Sequence, residues 1–328
     1  MKEPTRYDVV VIGAGPVGLT CGIECQKKGL SHLILDKGVL VNSLYHFPTN
    51  MTFFSTSQKL EIGDVPFISH LEKPTRRESL EYYRRVYESW DLNVQLYTLV
   101  KGIKGKHGDF QIETNHEAVY AKTIIVATGF YGKPKLMNIP GEDLPKVYHY
   151  YKEVHPFIGQ KVAVIGAANS ACDVAMELYH KGAEVTMIVR QSELSPRVKY
   201  WIKPNIENRI KEGSIKAFFD SNVIEIKPDS IAIRTPEGLQ NIPNDFVLAM
   251  TGYTPDFDFL STIGISLSDD EVMAPIHNAE TLETNRKGLY VAGVINAGMH
   301  TSKIFIENSM DHAVRIVDHI DQNISNYA

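Results

Sequence analysis

Cysteine is scarce in this chain. Among 328 residues there are only three, Cys21, Cys25 and Cys172, and they form no extracellular disulfide pattern. Cys21 and Cys25 are one turn apart in a predicted helix, a geometry that disfavours a strain-free disulfide. We therefore expect all three to be small buried side chains and not nucleophiles. The low count fits the reducing conditions of the cytoplasm, where we expect the protein to be located.

Long apolar runs and a strong charge of either sign are also missing. No segment approaches the ~20 consecutive apolar residues of a membrane-spanning helix. The formal net charge of −5 gives no reason to expect nucleic acid or an anionic membrane surface as a partner. No residues occur at metal-ligand spacings, so no metal site is predicted. What remains is a 43% hydrophobic chain that is long enough for two domains with separate cores.

A glycine-rich turn follows the first predicted strand. The apolar run at 7–12 leads directly into a turn with glycine at three positions. Gly13 permits the sharp exit from the strand, Gly15 lets the backbone approach a pyrophosphate, and Gly18 lets the following helix pack closely on the strand. Pro16 at the start of that helix costs no hydrogen bond. The turn therefore predicts a dinucleotide site, with phosphates facing the first amides of the helix.

An acidic residue is present where a dinucleotide site needs one. Asp36 ends the second predicted strand, 31–36, about 20 residues after the turn. A carboxylate at this position accepts hydrogen bonds from the hydroxyls of an adenosine ribose. The alternative, a tight strand–helix turn without a ligand, leaves this acid unexplained.

A second strand–turn–helix unit begins with the apolar run 161–165. Its turn starts at Gly166, but Ala168 occupies the position expected for the middle glycine. The companion strand, 184–190, ends in Arg190 instead of an acid. A guanidinium at this position can bind a 2′-phosphate, so the unit is predicted to prefer NADPH over NADH.

Two more cations follow Arg190 closely. Arg197 and Lys199 are candidates to extend the phosphate site, and the alternative is that they are solvated surface cations. We favour the surface alternative for Lys199 and the phosphate role for Arg190.

Two such units in one chain predict an α/β fold with two Rossmann-like dinucleotide-binding domains. Prolines and glycines after residue 131 mark a linker. We predict that the second of these domains, the one expected to prefer NADPH, spans 131–252 and is inserted into the first, which comprises 1–130 and 253–328.

Alternating patterns predict further elements. Those at 99–104, 110–114 and 118–122 indicate a three-stranded meander, and a buried strand is expected after it at 123–129. The final helix is expected from about Lys303 to Ile320.

Several longer strings resemble the YpdA family of bacillithiol disulfide reductases, a branch of the thioredoxin-reductase-like flavoproteins. The strings lie at 48–49, 52–55, 62–67, 144–150 and 304–308, and the resemblance covers essentially the whole chain. It implies FAD in the first site, NADPH in the second, and a cytoplasmic homo-oligomer such as a homodimer. It also implies that a low-molecular-weight disulfide, such as bacillithiol disulfide, accepts the electrons.

The resemblance assigns roles to individual residues. Those expected to bind FAD, with 52–55 beside the flavin ring, are Gly13, Gly15, Pro16, Gly18, Asp36, Lys37, Thr52, Phe53, Phe54, Ser55, Ala127, Thr128, Gly129, Gly293, Lys303 and Ile304. Those expected to bind NADPH are Gly166, Asn169, Ser170, Ala171, Arg190, Arg197 and Gly252. The amides at the start of the final helix, near Lys303 and Ile304, are expected to face the flavin pyrimidine and to stabilise its anionic reduced form.

The chain departs from thioredoxin reductases where their redox chemistry takes place. Their Cys-x-x-Cys has no counterpart, because residues 131–165 contain no cysteine. Val294 replaces an aspartate of the relatives, and Gln191 replaces a second arginine after Arg190. Val17 occupies a position where some YpdA-like chains carry cysteine. The chain therefore cannot be a dithiol relay of the thioredoxin-reductase kind.

Two side chains are candidates for catalysis. His300, just before the expected final helix, is placed to protonate a leaving thiolate or the flavin. Tyr148 is placed to stack on the nicotinamide or the flavin. The alternatives are a surface histidine and a tyrosine that packs at the domain joint.

Three other functions remain open from the sequence. The string at 164–173 also resembles flavin monooxygenases, although their Phe-x-Gly-x-x-x-His fingerprint is not intact. Ferredoxin- or flavodoxin-NADP reductases have the same fold and also lack the cysteine pair. The third alternative is a flavin-bearing sensor that is not an enzyme. Reduction by NADPH and the identity of the acceptor discriminate among them.

Overall fold

The chain divides into two compact units. A computed structural model describes residues 5–324. One unit, here the outer unit, runs to Lys133 and resumes at Tyr253, and the inserted unit is Pro134–Gly252. The sequence predicted these two crossings near residues 130 and 252.

The helices and strands follow one another in three segments of the chain. The first contains β1 (Arg6–Ile12), α1 (Pro16–Lys27), β2 (His32–Leu35), α2 (Asn42–His46), α3 (Arg76–Ser89), β3 (Val94–Gln95), β4 (Val100–Lys106), β5 (Asp109–Thr114), β6 (Val119–Val126) and, at the crossing, β7 (Lys133–Pro134). The second contains β8 (Val147–Tyr148), β9 (Lys161–Ile165), α4 (Asn169–His180), β10 (Glu184–Ile188), α5 (Lys203–Lys211), β11 (Lys216–Phe218), β12 (Asn222–Ile226), β13 (Ser230–Thr235), β14 (Gly238–Pro243) and β15 (Phe246–Ala249). The third contains β16 (Tyr253–Thr254), α6 (Phe257–Thr262), β17 (Leu289–Val291) and α7 (Met310–Ile324). Among the described residues, none of these helices is long and apolar enough to cross a membrane.

The outer unit is built on a seven-stranded sheet. Its order is β3-β2-β1-β6-β5-β4, with β17 also paired to β6. β1 is parallel to both of its neighbours, and Ile12 lies opposite Leu35 on one side and Val126 on the other. The carboxyl ends of these strands therefore meet at one edge, which is where parallel α/β sheets bind ligands.

One strand of this sheet replaces two that the sequence predicted. β6 runs without a break from Val119 to Val126, so the expected meander strand at 118–122 and the buried strand at 123–129 form a single element. No glycine or proline interrupts this stretch. Its first residues pair with β5, while nearly its whole length pairs with β1. The prediction of two separate strands was wrong because the same residues serve both pairings.

The final helix begins later than expected. α7 starts at Met310 and not near Lys303. The side chain of Asn308 accepts a hydrogen bond from the Phe305 N–H at 2.6 Å and donates one to the Lys303 carbonyl at 3.1 Å. An asparagine that satisfies nearby backbone groups in this way competes with helix formation. Lys303 and Ile304 therefore lie in an irregular segment.

A capping box starts α3. The Glu78 N–H donates to Thr75 Oγ1 at 3.3 Å, and the Thr75 N–H donates to the Glu78 carboxylate at 2.8 Å. These bonds satisfy two donors at the helix start that would otherwise lack partners. Tyr82, Tyr83 and Val86 form the buried face of the helix.

The inserted unit contains its own parallel sheet and its own core. Five strands lie in the order β11-β10-β9-β15-β8, and β12-β13-β14 form a separate antiparallel sheet. β9 is central and buried, with Ile165 opposite Ile188 and Ala249 on its two neighbours. As in the outer unit, the carboxyl ends of parallel strands meet at one edge, and α4 begins just after β9 reaches it.

Candidate functional site

The first glycine turn is tightly packed except at one point. Gly13 has φ +114°, and a Cβ there would lie 2.5 Å from the carbonyl oxygen of Ala127. A Cβ on Gly18 would lie 1.8 Å from the carbonyl oxygen of Gly13. A Cβ on Gly15 would meet no atom within 4 Å. Packing therefore requires glycine at positions 13 and 18, whereas the space beside Gly15 is open, as the approach of a pyrophosphate requires.

Helix α1 starts beside this open space. Gly15 is its N-cap and Pro16 its first residue, and within the part of the chain that the structure describes no side chain caps this end. The first amides of a helix have no acceptor within the helix. The turn therefore presents N–H groups and the positive end of the helix dipole, a combination that binds anionic phosphates.

Asp36 stabilises the same turn. Its carboxylate accepts hydrogen bonds from the Ala14 N–H at 2.8 Å and the Gly38 N–H at 2.9 Å. Burial raises the pKa of this carboxyl group, and the two amide bonds oppose the shift. Each oxygen accepts one of these bonds and keeps a lone pair for a ribose hydroxyl. The sequence predicted the ribose role and missed the bonds to the turn. Lys37, next in the chain, is exposed.

Three predicted FAD segments meet at the carboxyl edge of the outer sheet. The Ala127 N–H donates to the Ile12 carbonyl at 2.8 Å, which joins the 127–129 segment to β1. Gly293 has φ +82°, and a Cβ there would lie 3.4 Å from the side chain of Val17. The first turn, the 127–129 segment with Thr128 and Gly129, and the turn at Gly293 therefore lie side by side.

The 52–55 segment is fixed by neighbouring backbone. Thr52 forms a β-bridge with Thr75, and the Phe53 N–H donates to the Pro74 carbonyl at 2.9 Å. The ring of Phe53 is buried, whereas Phe54 is 56% exposed. Consecutive residues of this segment thus face the core and the solvent.

Ser55 links this segment to the C-terminal string at 304–308. Its hydroxyl donates to the carboxylate of Glu307 at 2.5 Å. Glu307 was part of a family string but was not a predicted site residue. Its signal in the sequence was that string alone, since the contact joins residues far apart in the chain.

The residues expected at the start of the final helix lie in a loop. The His300 N–H donates to the Ala297 carbonyl at 2.9 Å, and the Lys303 N–H donates to the His300 carbonyl at 3.0 Å. Because α7 starts only at Met310, the amides of Lys303 and Ile304 are not amides of a helix N-terminus. The prediction that the final helix starts at these residues was wrong, and their contact with the flavin stays a prediction. The side chain of His300 is exposed.

The second turn resembles the first in its packing. Gly166 has φ +134°, and a Cβ there would lie 2.6 Å from the Met250 carbonyl oxygen and 3.2 Å from the Cβ of the buried Ala171. Ala168 is the N-cap of α4, and among the described residues no side chain caps it. Ser170, in the first turn of α4, is exposed. Gly252 has φ +96°, and its carbonyl accepts the Lys135 N–H at 2.9 Å.

A cavity of about 730 Å³ opens beside this turn. It lies within the inserted unit, and its walls include Gly166, Ala168, Arg190, Ser192 and Ser195. The turn and the arginine that the sequence assigned to one nucleotide therefore line the same space.

The cavity has a second cation that the sequence did not predict. Lys135 also lines it, although it precedes the turn by some thirty residues in the chain. Only the fold brings Lys135 to the same cavity as Arg190.

Asn169 has a structural role that the sequence did not predict. Its side chain donates to the Arg197 carbonyl at 3.1 Å and accepts the Lys199 N–H at 2.8 Å. It thereby fastens the 195–199 loop to the start of α4. Lys199 is 8% exposed, and its ammonium group pairs with Asp173 at 2.7 Å. The expectation that Lys199 is a solvated surface cation was wrong, and its charge is held by a partner in α4.

Tyr148 packs in an aromatic cluster of the inserted unit. Its ring centroid lies 5.7 Å from that of Phe157 and 6.1 Å from that of Phe246. It is 38% exposed and is not among the residues that line the cavity. The structure thus shows a packing role at the edge strand β8.

None of the three cysteines is exposed. Cys21, Cys25 and Cys172 are each fully buried and unpaired. Burial raises the pKa of Cys21 and Cys172 to about 12 and that of Cys25 well above its usual range. Since the thiolate is the reactive form, these residues are inert, as the sequence predicted. Among residues 5–324, no cluster of His, Cys, Asp and Glu could hold a metal ion.

Comparisons with known proteins agree with this geometry. A profile of the family described as "Pyridine nucleotide-disulphide oxidoreductase" matches residues 10–293. Bacilliredoxin reductase Bdr of Bacillus subtilis is 44% identical over 95% of this chain and 96% of its own length.

Two solved structures are similar over nearly their full lengths. They are the bacillithiol disulfide reductases Bdr (YpdA) of Staphylococcus aureus and Bacillus cereus, each 41% identical with a TM-score of 0.94. The match covers 96% of this chain and 98% of the Staphylococcus structure, and 97% of this chain and 100% of the Bacillus structure.

These matches confirm the predicted fold class and the predicted resemblance. They also confirm that the protein is an oxidoreductase whose fold binds flavin and nicotinamide nucleotides. The chain belongs to the pyridine nucleotide-disulphide oxidoreductase family and, within it, to the YpdA group of bacillithiol disulfide reductases.

Proposed function

We propose that this chain is an NADPH-dependent FAD enzyme that reduces a low-molecular-weight disulfide of the bacillithiol type. The observation that carries the proposal is the pair of glycine turns at the carboxyl edges of two parallel sheets. One turn has open space beside Gly15, and the other borders a cavity of about 730 Å³. The names of the Staphylococcus and Bacillus relatives support the disulfide as acceptor and argue against the monooxygenase and ferredoxin reductase alternatives.

The outer unit supplies the site proposed for FAD. The amides at the start of α1 and the space beside Gly15 suit a pyrophosphate, and the remaining lone pairs of Asp36 suit a ribose. The segments at 127–129 and Gly293 border the same edge. FAD held by these residues would supply two-electron transfer between a nicotinamide and a disulfide.

The inserted unit supplies the site proposed for NADPH. The first amides of α4 would hold the pyrophosphate of the nucleotide, and Arg190 is exposed at the cavity wall, where its guanidinium can bind a 2′-phosphate. The carbonyl of Arg197 accepts a hydrogen bond from Asn169, so the 195–199 loop, whose Ser195 lines the cavity, is anchored to α4.

The disulfide must be reduced without a thiol of this chain. All three cysteines are buried, and none lies in the predicted inserted domain before its glycine turn. The chain's role is therefore to bind and orient the two nucleotides, and any thiol that exchanges with the disulfide comes from the substrate or a partner.

A protein acceptor is the second candidate. The name of the Bacillus subtilis relative, bacilliredoxin reductase, favours a small redox protein as the electron acceptor of that enzyme. Such an acceptor would bring its own cysteine, which this chain does not provide.

Stopped-flow spectroscopy tests the proposal. The yellow holoenzyme should be bleached by NADPH faster than by NADH, and it should be reoxidised faster by bacillithiol disulfide, alone or with a bacilliredoxin, than by ferredoxin or oxygen. A purified protein that stays colourless with added FAD would contradict the proposal. Rapid reoxidation by a one-electron carrier alone would favour the ferredoxin reductase alternative.

We also propose that the protein is a cytoplasmic homo-oligomer. The low cysteine count and the absence of disulfides among the described residues fit a reducing compartment. Light scattering during size-exclusion chromatography of the FAD-loaded protein measures its mass, and a monomer would contradict the second part.

A further inference from the structure

A histidine of the final helix contacts the cofactor edge of the outer unit. The Gly293 N–H donates a hydrogen bond to His312 Nδ1 at 3.1 Å. His312 lies in the first turn of α7 and is 8% exposed. Gly293 follows β17 and packs close to Val17 of the first glycine turn. This hydrogen bond therefore joins α7 to the edge where the FAD segments meet.

The direction of the hydrogen bond fixes the state of the imidazole. A backbone N–H can only donate, so Nδ1 of His312 accepts and carries no proton. The ring is therefore neutral, with its proton on Nε2. Burial lowers the pKa of His312 below its ordinary value of 6.5, which keeps the ring neutral at physiological pH.

Three charged or titratable groups act on this ring. Asp311, on the same helix, favours protonation, whereas Arg315 of α7 and His277, in the segment between α6 and β17, oppose it. Arg315 also lies 3.4 Å from Asp311, so their effects on the ring partly cancel. Burial remains the largest influence on the protonation state of His312.

The turn that His312 holds contains a second buried polar group. In the short 3₁₀ turn Gly293–Ala297, the side chain of Asn296 donates to the Val291 carbonyl at 3.1 Å. Its oxygen is buried and has no partner among the described residues, although the residue is only 8% exposed. A buried acceptor without a partner is costly unless a ligand or a water donates to it. The turn is thus held by side chains at both ends and retains one free acceptor.

We propose that neutral His312 is a positioning residue for FAD, because its bond to the Gly293 N–H holds the Gly293–Ala297 turn in the shape that binds the ribityl–phosphate part of the cofactor. The inference rests on the proposed FAD site. When Nδ1 of His312 is protonated, it becomes a donor that faces the Gly293 N–H, which is also a donor. The hydrogen bond is then lost and the turn is released. FAD affinity is therefore expected to fall as the solution becomes acidic.

The test is a titration of apo-protein with FAD, followed by flavin fluorescence, at several values between about pH 5 and 8, where histidines titrate. His312→Asn keeps an acceptor near the position of Nδ1 but does not titrate, so its affinity should match the wild type at high pH and stay level at low pH. His312→Phe removes the acceptor and should lose roughly 3- to 10-fold in affinity at every pH, as expected for one hydrogen bond.

His319→Asn is the matched control. His319 lies on the same helix, and its Nδ1 contacts the Tyr290 hydroxyl at 2.9 Å instead of the turn. This variant should keep the pH profile of the wild type.

Two results would overturn the inference alone: wild-type affinity in His312→Phe, or an unaltered acid-induced loss in His312→Asn. If circular dichroism shows that His312→Phe is unfolded, the pH profile of His312→Asn decides. A wild-type protein that binds no FAD at any pH overturns the proposed function and this inference together.

Discussion

Gly15 and Gly18 are three residues apart, yet they constrain the protein in different ways. Gly18→Ala forces a Cβ to within 1.8 Å of a carbonyl oxygen, whereas Gly15→Ala meets no atom of the protein. We expect Gly18→Ala to lower the free energy of unfolding of apo-protein by about 1–3 kcal/mol or more, as overpacking does. Gly15→Ala should lower it less, by about 1 kcal/mol or less because alanine is a poorer N-cap than glycine, and its main effect should be weaker FAD binding. Thermal unfolding with and without FAD measures both effects, and full FAD affinity in Gly15→Ala would contradict the pyrophosphate site.

Arg190 determines the preference for NADPH if it binds the 2′-phosphate. Removal of a charge-assisted hydrogen bond costs about 1.5–3 kcal/mol, so Arg190→Ala should raise the KM for NADPH roughly 10- to 100-fold and leave that for NADH nearly unchanged. Steady-state kinetics with both nucleotides measure the two values. Arg209→Ala is the control, because Arg209 lies on α5, pairs with Glu212 at 2.9 Å and does not line the cavity. An equal rise in the KM for NADPH and for NADH in Arg190→Ala would contradict the assignment of Arg190 to the 2′-phosphate.

Single residues also show which features of the site the sequence could predict and which it could not. The distance from the first turn to Asp36 predicted an acid at the site, because spacing along a strand–helix–strand unit is local. The burial of Lys199 could not be predicted in the same way, because its partner Asp173 belongs to a different element and only the fold brings the two together. The same reason applies to the Ser55–Glu307 contact.

The helices and strands show the same difference between features set by local sequence and features set by the fold. Periodicity predicted β1, α1 and the turn between them, since each pattern lies within a few residues. The predicted start of α7 was wrong because Asn308 and its neighbours form local hydrogen bonds, in a segment whose composition is compatible with a helix. β6 was divided in two because a strand that pairs with both β1 and β5 has two different patterns of burial along its length.

The capping box of α3 contributes to the stability of the outer unit. Thr75→Ala removes the acceptor for the Glu78 N–H and should cost about 1 kcal/mol of the free energy of unfolding, the usual value for an N-cap. Chemical denaturation of the apo-protein measures the change. Ser89→Ala, at the exposed opposite end of the same helix, should have almost no effect. Equal losses in the two variants would show that the cap is not responsible.

At the scale of the whole molecule, each unit has a separate hydrophobic core. The cores of the inserted unit contain only residues between Pro134 and Gly252. The sequence predicted two domains because the strand–turn–helix pattern occurs twice. It also predicted the insertion, because the C-terminal segment continues the pattern of the first domain.

The inserted unit should therefore fold when it is produced alone. The two ends of this unit are adjacent, since the Lys135 N–H donates a hydrogen bond to the Gly252 carbonyl at 2.9 Å. The chain can therefore be cut at both ends without opening the unit. We expect residues 134–252 to show cooperative thermal unfolding with a midpoint that NADP⁺ raises. The same fragment with Arg190→Ala should unfold equally well but respond less to NADP⁺. A fragment without a cooperative transition would contradict the independence of this core.

The burial of every sulfhydryl group in the chain affects how the enzyme responds to oxidative stress. Enzymes that depend on an exposed cysteine lose activity when peroxides or electrophiles modify it. Here Cys21, Cys25 and Cys172 are shielded by the cores of the two units. An enzyme of this kind keeps its activity during an oxidant burst, when a cell most needs to regenerate its thiol pool.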